Sequence, residues 1–172
     1  VSMAFGSPLN DSATTTEVKQ AVTALSVTTW RQYADQLQSI PTEWLKRAKR
    51  MGRKAALEDS VIGTVSYTKL MALVFHLTKR LKPLVGRDQN IGLLLPTSAA
   101  GIAANLSQLC LAKTVVNINY TASHEAIAYS IEDASINTII TSKLFIKKLT
   151  AKGFDMSGVI ANKKAIYLED LF

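Results

Sequence analysis

The chain has 172 residues, 48% of them hydrophobic and 19% charged, with a net charge of +7. That length supports one good domain or a small domain plus an appendage, and the apolar fraction excludes wholesale disorder. The single cysteine, Cys110, rules out an internal disulfide and suggests a reducing compartment, and two scattered histidines with it make no metal site.

The first ten residues, VSMAFGSPLN, lack the charged start and long apolar core of a signal peptide, and they read as a chain that begins within a longer protein. Ala4-Phe-Gly-Ser-Pro-Leu9 is expected to be the end of a strand running into a turn. Thr14 and Glu17 have capping-box spacing. Val18, Val22, Leu25, Trp30, Tyr33, Ala34 and Leu37 then continue as a long helical stripe.

Ser39 and Pro41 open a second helix that Gly52 ends. Trp44, Leu45, Ala48 and Met51 form its apolar side, and Lys46, Arg47, Lys49, Arg50, Arg53 and Lys54 supply a basic cluster. Such a cluster can meet an anionic membrane surface or an acidic protein, and it can equally be a solvated face. No aromatic interleaving or binding module accompanies it, so nucleic acid is excluded as a partner. Packing of the tryptophan side on a neighbouring domain is preferred over membrane contact.

Composition shifts after Gly52. Ala55–Asp59 and Thr64–Tyr67 read as two short strands joined by a turn around Gly63. Thr68 opens a helix with the stripe Leu70, Met71, Val74, Phe75, Leu77 and Leu81, ended by Pro83 and Gly86. His76 lies beside that stripe and reads as a partly exposed or hydrogen-bonded helix residue, not a ligand.

The stretch from Asn90 to Tyr120 organises the rest. Ile91–Leu95 reads as a strand buried on both faces, stopped by Pro96. Ser98 is the candidate cap of a helix with Ile102, Ala103, Leu106, Leu109 and Cys110 at apolar spacing, Cys110 being a packing residue. Thr114–Ile118 is the next strand, completing a parallel crossover. Although Asn90–Ala112 carries no charge, Pro96, Thr97, Ser98, Asn105, Ser107 and Gln108 interrupt it, which favours a buried core over a membrane span.

Beyond it, Ser123 caps a helix burying Ile127 and Ile131, and Asn137–Thr141 is a strand. Ser142 starts a helix with Leu144, Phe145 and Leu149 inside, and Lys164–Leu168 is a last strand. The order β-β-α-β-α-β-α-β-α-β predicts an α/β fold with a doubly wound, mostly parallel sheet, preceded by a helical linker.

The chain displays no active-site motif. Pro96–Gly101 sits between strand and helix, where a phosphate loop would lie, but lacks the glycine density and the lysine; the helix start at Ser98 could hold an anion only weakly. Neither histidine has an aspartate five positions on, and no G-x-S-x-G elbow occurs. The acid pairs Glu58-Asp59, Glu132-Asp133 and Glu169-Asp170 read as solvated carboxylates. Asn117, Asn119, Tyr120 and Thr121 follow a strand and are the weak candidates for lining a carboxyl-end crevice, against the simpler reading of a loop satisfying its own backbone.

Lys54 to Leu171 resembles the start of the AMP-binding region of adenylate-forming enzymes, the acyl-CoA synthetase-like superfamily. The matching pieces are Ala56-Leu-Glu-Asp59, Val65-Ser-Tyr-Thr-Lys-Leu70, Ile91-Gly-Leu-Leu-Leu-Pro-Thr-Ser98, Asn117-Ile-Asn-Tyr-Thr-Ala122, Ile136-Asn-Thr-Ile-Ile-Thr-Ser142 and Tyr167-Leu-Glu-Asp-Leu171. Together they look closest to the bifunctional acyl-acyl-carrier-protein synthetase/2-acylglycerophosphoethanolamine acyltransferase branch. In that picture residues 1–52 resemble the end of the acyltransferase and the linker, and residues 53–172 the N-terminal part of the AMP-binding domain.

The resemblance implies a parent that uses ATP and Mg²⁺ to activate a fatty acid. It passes the acyl group to acyl carrier protein or CoA and then to a lysophospholipid, at the cytoplasmic side of a bacterial inner membrane. The family's T-S-G-[ST]-x-G-x-P-K-G loop is not in this chain, so no catalytic, cofactor-binding or metal-binding residue is carried over. The expectation is a soluble, inactive piece without a cofactor of its own, with uncovered surface that invites a homodimer.

Overall fold

The computed structural model describes residues 4–172. Two compact units are present, the first ending at Ser39 and the second spanning Ile40–Phe172.

The first unit is built on α1 (Thr15–Ala34), started by the expected capping box: the Thr14 hydroxyl accepts from the Glu17 N–H, and the Glu17 carboxylate accepts from the Thr14 N–H. None of its residues is buried, and Val22 and Trp30 are more than 60% exposed. The strand expected at Ala4–Leu9 is not formed; residues 4–10 carry no regular structure. Pro8 there has no N–H for a ladder. The adjoining Val1–Met3 lie outside the described residues.

The second unit opens with α2 (Ile40–Met51), whose fully buried Ala48 and half-buried Trp44 pack on the core. Gly52, at φ +56°, ends it. Strands β1 (Ala55–Asp59) and β2 (Gly63–Ser66) pair as an antiparallel hairpin. Helix α3 (Tyr67–Val85) begins one residue earlier than expected because Ser66 is its cap, accepting from the Lys69 N–H at 3.3 Å. Pro83 was expected to stop this helix but lies within its last turn, and Gly86 in the left-handed region ends it.

The remaining elements are β3 (Asn90–Leu94), α4 (Ala99–Cys110), β4 (Thr114–Asn117), α5 (His124–Asp133), β5 (Thr138–Thr141), α6 (Lys143–Ala151), the unexpected short α7 (Ser157–Ile160), and β6 (Lys164–Tyr167), followed by a 3₁₀ turn at Leu168–Leu171. The strands form a four-stranded parallel sheet in the order β4-β3-β5-β6. Ile91 pairs with Val115 on one side and Thr138 on the other.

Alternate residues of each strand feed two cores, as a period of two requires. Ile91, Leu93, Ile140 and Ile166 pack with α3 and α4 on one face. Leu94 and Ile139 pack with Ile127 and Ile131 of α5 and Phe145 and Leu149 of α6 on the other. Helices on both faces make the sheet doubly wound, as predicted. Gly92 sits tightly on the second face, where a Cβ would lie 3.0 Å from the Ile118 side chain and 3.1 Å from that of Ile136.

The buried face of α4 differs from the predicted stripe. Ala99, Ala103, Ala104, Ser107 and Gln108 point inward, while Ile102 is 38% exposed and Cys110, expected to be packed, is exposed. Four of the five inward residues, all but Gln108, are small, which lets α4 approach α3 and the sheet closely. Phe75 and Leu144 also turn outward from their predicted buried faces.

Candidate functional site

Strand β3 connects through α4 to β4 on one side of the sheet, whereas β5 connects through α6 to β6 on the other. The carboxyl ends of β3 and β5 therefore flank a topological switch point, where open α/β sheets form their ligand crevice. A cavity of about 710 Å³ lies there. Loops following β3, β4, β5 and β6 all contribute to it, and the β1–β2 turn and α3 close the remaining sides.

Its interior is chiefly apolar, with Leu73 and Leu77 from α3, Leu95 after β3, Phe145 and Leu149 from α6, and Leu168 after β6. Tyr120 meets Phe145 edge to face at 5.1 Å between ring centroids. The mouth carries exposed apolar side chains: Val61 is 81% exposed, Leu144 58% and Phe172 70%. Lys148 and Lys152 also line it, one helical turn apart by sequence and both exposed.

The helix N-termini at the switch point are closed by carboxylates of the chain itself. Asp59, at the end of β1, accepts from the Ala99 N–H at the start of α4 at 2.8 Å through one oxygen. Its other oxygen accepts from the N–H groups of Val61 and Ile62 at 2.8 and 3.1 Å. The hydrogen bond from Ala99, followed by those from Val61 and Ile62, holds the Asp59 carboxyl below its ordinary pKa. Ser98 completes this cap by accepting from the Gly101 N–H, and Gly101 is obligatory: a Cβ would sit 2.5 Å from the Pro96 carbonyl oxygen.

Glu169 does the same for α6. Its carboxylate accepts from the Ser142 hydroxyl at 2.7 Å and from the N–H groups of Lys143 and Leu144 at 3.1 Å each. Partial desolvation pushes its pKa up, but the hydrogen bonds, led by that from Ser142, outweigh it and the net shift is downward. The adjacent Asp170 pairs with the Lys143 ammonium. Glu169 is exposed, as expected from sequence, and Asp59 is half-buried, but both carboxylates act as caps the sequence did not reveal: each belongs to an acid pair at a strand end, which brings it to the start of a neighbouring helix.

Of the crevice candidates read from sequence, Tyr120 and Thr121 line the cavity, while Asn117 and Asn119 do not. The Asn119 side-chain oxygen accepts from the Thr121 N–H and hydroxyl, and Asn117 accepts from Asn105. Those asparagines satisfy local groups. The basic cluster divides cleanly: Lys46, Arg47, Lys49 and Arg50 on α2 and Arg53 and Lys54 just after it are exposed, and Trp44 is turned to the core. Lys46 pairs with Glu43 at 2.8 Å. His76 donates from Nε2 to the Leu171 carbonyl oxygen, 3.0 Å away, and stacks on Phe172, a structural role matching its sequence reading.

These residues do not fit a nucleotide with its metal. The positions where phosphates would meet helix N–H groups already hold carboxylates, and no cluster of three or more His, Cys, Asp or Glu exists among the described residues.

The same fold is found among solved structures. An o-succinylbenzoate CoA synthetase from Bacillus subtilis, in complex with its acyl-adenylate intermediate, superposes with a TM-score of 0.62 at 21% identity, covering 78% of this chain and 32% of its own. A four-domain nonribosomal peptide synthetase bound to AMP and glycine gives 0.63 at 23% identity, covering 80% of this chain and 9% of its own. The Klebsiella oxytoca NpsA N-terminal subdomain gives 0.63 at 13% identity, covering 78% and 31%. The chain therefore spans about a third or less of each of these proteins. Residues 44–168, well over half of the chain, match the AMP-binding enzyme model, and the chain belongs to that family.

Proposed function

We propose that this chain is the N-terminal part of the AMP-binding region of an ATP-dependent fatty-acid-activating enzyme, and that it does not form acyl-adenylate by itself. Residues 53–172 supply one sheet of that region, and residues 1–52 supply the end of an acyltransferase domain and the linker. In the parent the activated acyl group passes to acyl carrier protein or CoA and then to a lysophospholipid on the cytoplasmic face of the membrane. The observation that carries the reading is the family match over residues 44–168, combined with a switch-point crevice whose anion positions are filled from within. The adenylate chemistry then belongs to other parts of the enzyme. Among the described residues no helix is long and apolar enough to cross a membrane.

The reaction test is direct. Mixed with fatty acid, ATP and Mg²⁺, this chain is expected to release no pyrophosphate above background; sustained, fatty-acid-dependent release would overturn the proposal.

A second reading is supported by the exposed cations of α2. They form a rigid basic face on a helix anchored by Ala48 and Trp44, suited to an acidic protein such as a carrier protein. Because Trp44 packs inward, the face has no aromatic anchor for a bilayer. Binding to acidic carrier protein that weakens steeply with added salt is the expected result, and salt-insensitive or absent binding counts against it.

A further inference from the structure

We propose that the outer rim of the switch-point crevice docks on an anionic lipid bilayer. Val61 and Ile62 of the β1–β2 turn and Leu144 of α6 enter the interface, and Lys148 and Lys152 meet lipid head groups. Turns between paired strands favour Gly, Asn, Asp and Ser, yet the tip here is Ser60-Val61-Ile62, closed by Gly63 at φ +72°. Val61 and Ile62 are 81% and 65% exposed, so they serve no core. Their N–H groups both donate to one oxygen of Asp59, which fixes the turn with these side chains in solvent. A tip fixed in advance meets its partner with little further ordering cost.

Leu144, Phe154 and Phe172 stand on the same mouth, so most of the exposed large apolar side chains of the second unit gather at this one opening. Leu144, Lys148 and Lys152 follow one another at four-residue steps along one side of α6 and its cap. The two lysines are in no ion pair or hydrogen bond among the described residues. The nearby acids are engaged: Asp59 and Glu169 cap helices, Asp170 pairs with Lys143, and Asp155 accepts from Ser157. The rim therefore joins apolar tips to unpaired positive charge, the combination that holds a protein in the plane of an anionic membrane. Neither exposed helix face combines the two: α2 turns its tryptophan inward, and Lys19 and Arg31 are the only cations of α1. This gives a face to the membrane-side location proposed above and rests on that reading for its setting. The two fail separately, since absent vesicle binding leaves the pyrophosphate result unchanged, and pyrophosphate release leaves vesicle binding unchanged.

The test is co-sedimentation of the 172-residue chain with vesicles of phosphatidylcholine mixed with phosphatidylglycerol, and with vesicles of phosphatidylcholine alone. Binding to the mixed vesicles that weakens with added salt is expected, with little binding to the neutral ones. Lys148→Gln combined with Lys152→Gln should weaken it at least about tenfold, at about fivefold for each lysine. Val61→Ser combined with Ile62→Ser should also weaken it at least about tenfold, with an unchanged thermal midpoint because neither side chain is buried. In Val61→Trp, brominated lipid should quench the added indole beyond any quenching of the unaltered chain. No binding to the mixed vesicles, equal binding by either double variant, or no added quenching in Val61→Trp would each overturn the proposal. So would a lipid-free dimer that Val61→Ser with Ile62→Ser dissociates, because a second copy would then cover the rim.

Discussion

Asp59 and Glu169 each join a strand end to the first turn of a helix distant in sequence, and each gains from the partial positive charge of that helix start. Both have folded pKa values below the ordinary carboxylate value, so each contributes stability that is present above the unfolded pKa and lost as pH falls through the folded one. Asp59→Asn and Glu169→Gln are therefore expected to lower the urea midpoint clearly at pH 7 and progressively less as pH falls below the ordinary carboxylate range, where the unfolded chain takes up the protons first. Equal losses at pH 7 and in that acid range would show that the charge is irrelevant. Gln108 makes the opposite case: its side chain is fully buried, yet its carbonyl oxygen has no partner among the described residues. Leaving such a group unsatisfied costs about 1–3 kcal/mol, so Gln108→Met should raise stability by roughly 1 kcal/mol in denaturant unfolding. Neither acid was legible as a cap beforehand, because its helix partner lies 40 residues away for Asp59 and 26 for Glu169. Only local caps, such as Thr14 with Glu17 or Ser98 with Gly101, could be read from spacing.

Among the elements, α2 shows how a patterned helix is divided between packing and solvent. Trp44→Ala should destabilise the second unit by about 2–3 kcal/mol, near the lower end for aromatic truncation because the ring is only half-buried. Arg47→Ala and Arg50→Ala, on the exposed side, should each change stability by less than about 0.5 kcal/mol. Thermal or denaturant unfolding of the three variants checks the contrast, and a large loss from either arginine would mean that the basic face is not free. The apolar periodicity of α2, α3 and α5 was visible in sequence because large side chains mark their buried sides. In α4 the same rule misplaced the face: close approach to the sheet selects alanine and serine there, and the larger Ile102 and Leu106 fall on the flanks. Leu144 was misassigned for a related reason, being a crevice-mouth residue with an apolar side chain.

The whole second unit is a parallel sheet covered on both sides, and its strand-helix alternation was readable because each strand is a short β-branched or leucine run bounded by a turn or a cap. Strand order was not: nothing local tells β5 to pair with β3 instead of β4. That order creates the switch point and hence the crevice, so the crevice lining was largely hidden, with only Tyr120 and Thr121 named in advance. The central claim is that the fold of an AMP-binding enzyme is present here with its switch-point anion sites filled by its own carboxylates. Calorimetric titration of the chain with Mg–ATP tests it most directly. No saturable heat at millimolar nucleotide is predicted; saturable binding that Asp59→Asn or Glu169→Gln alters would contradict it.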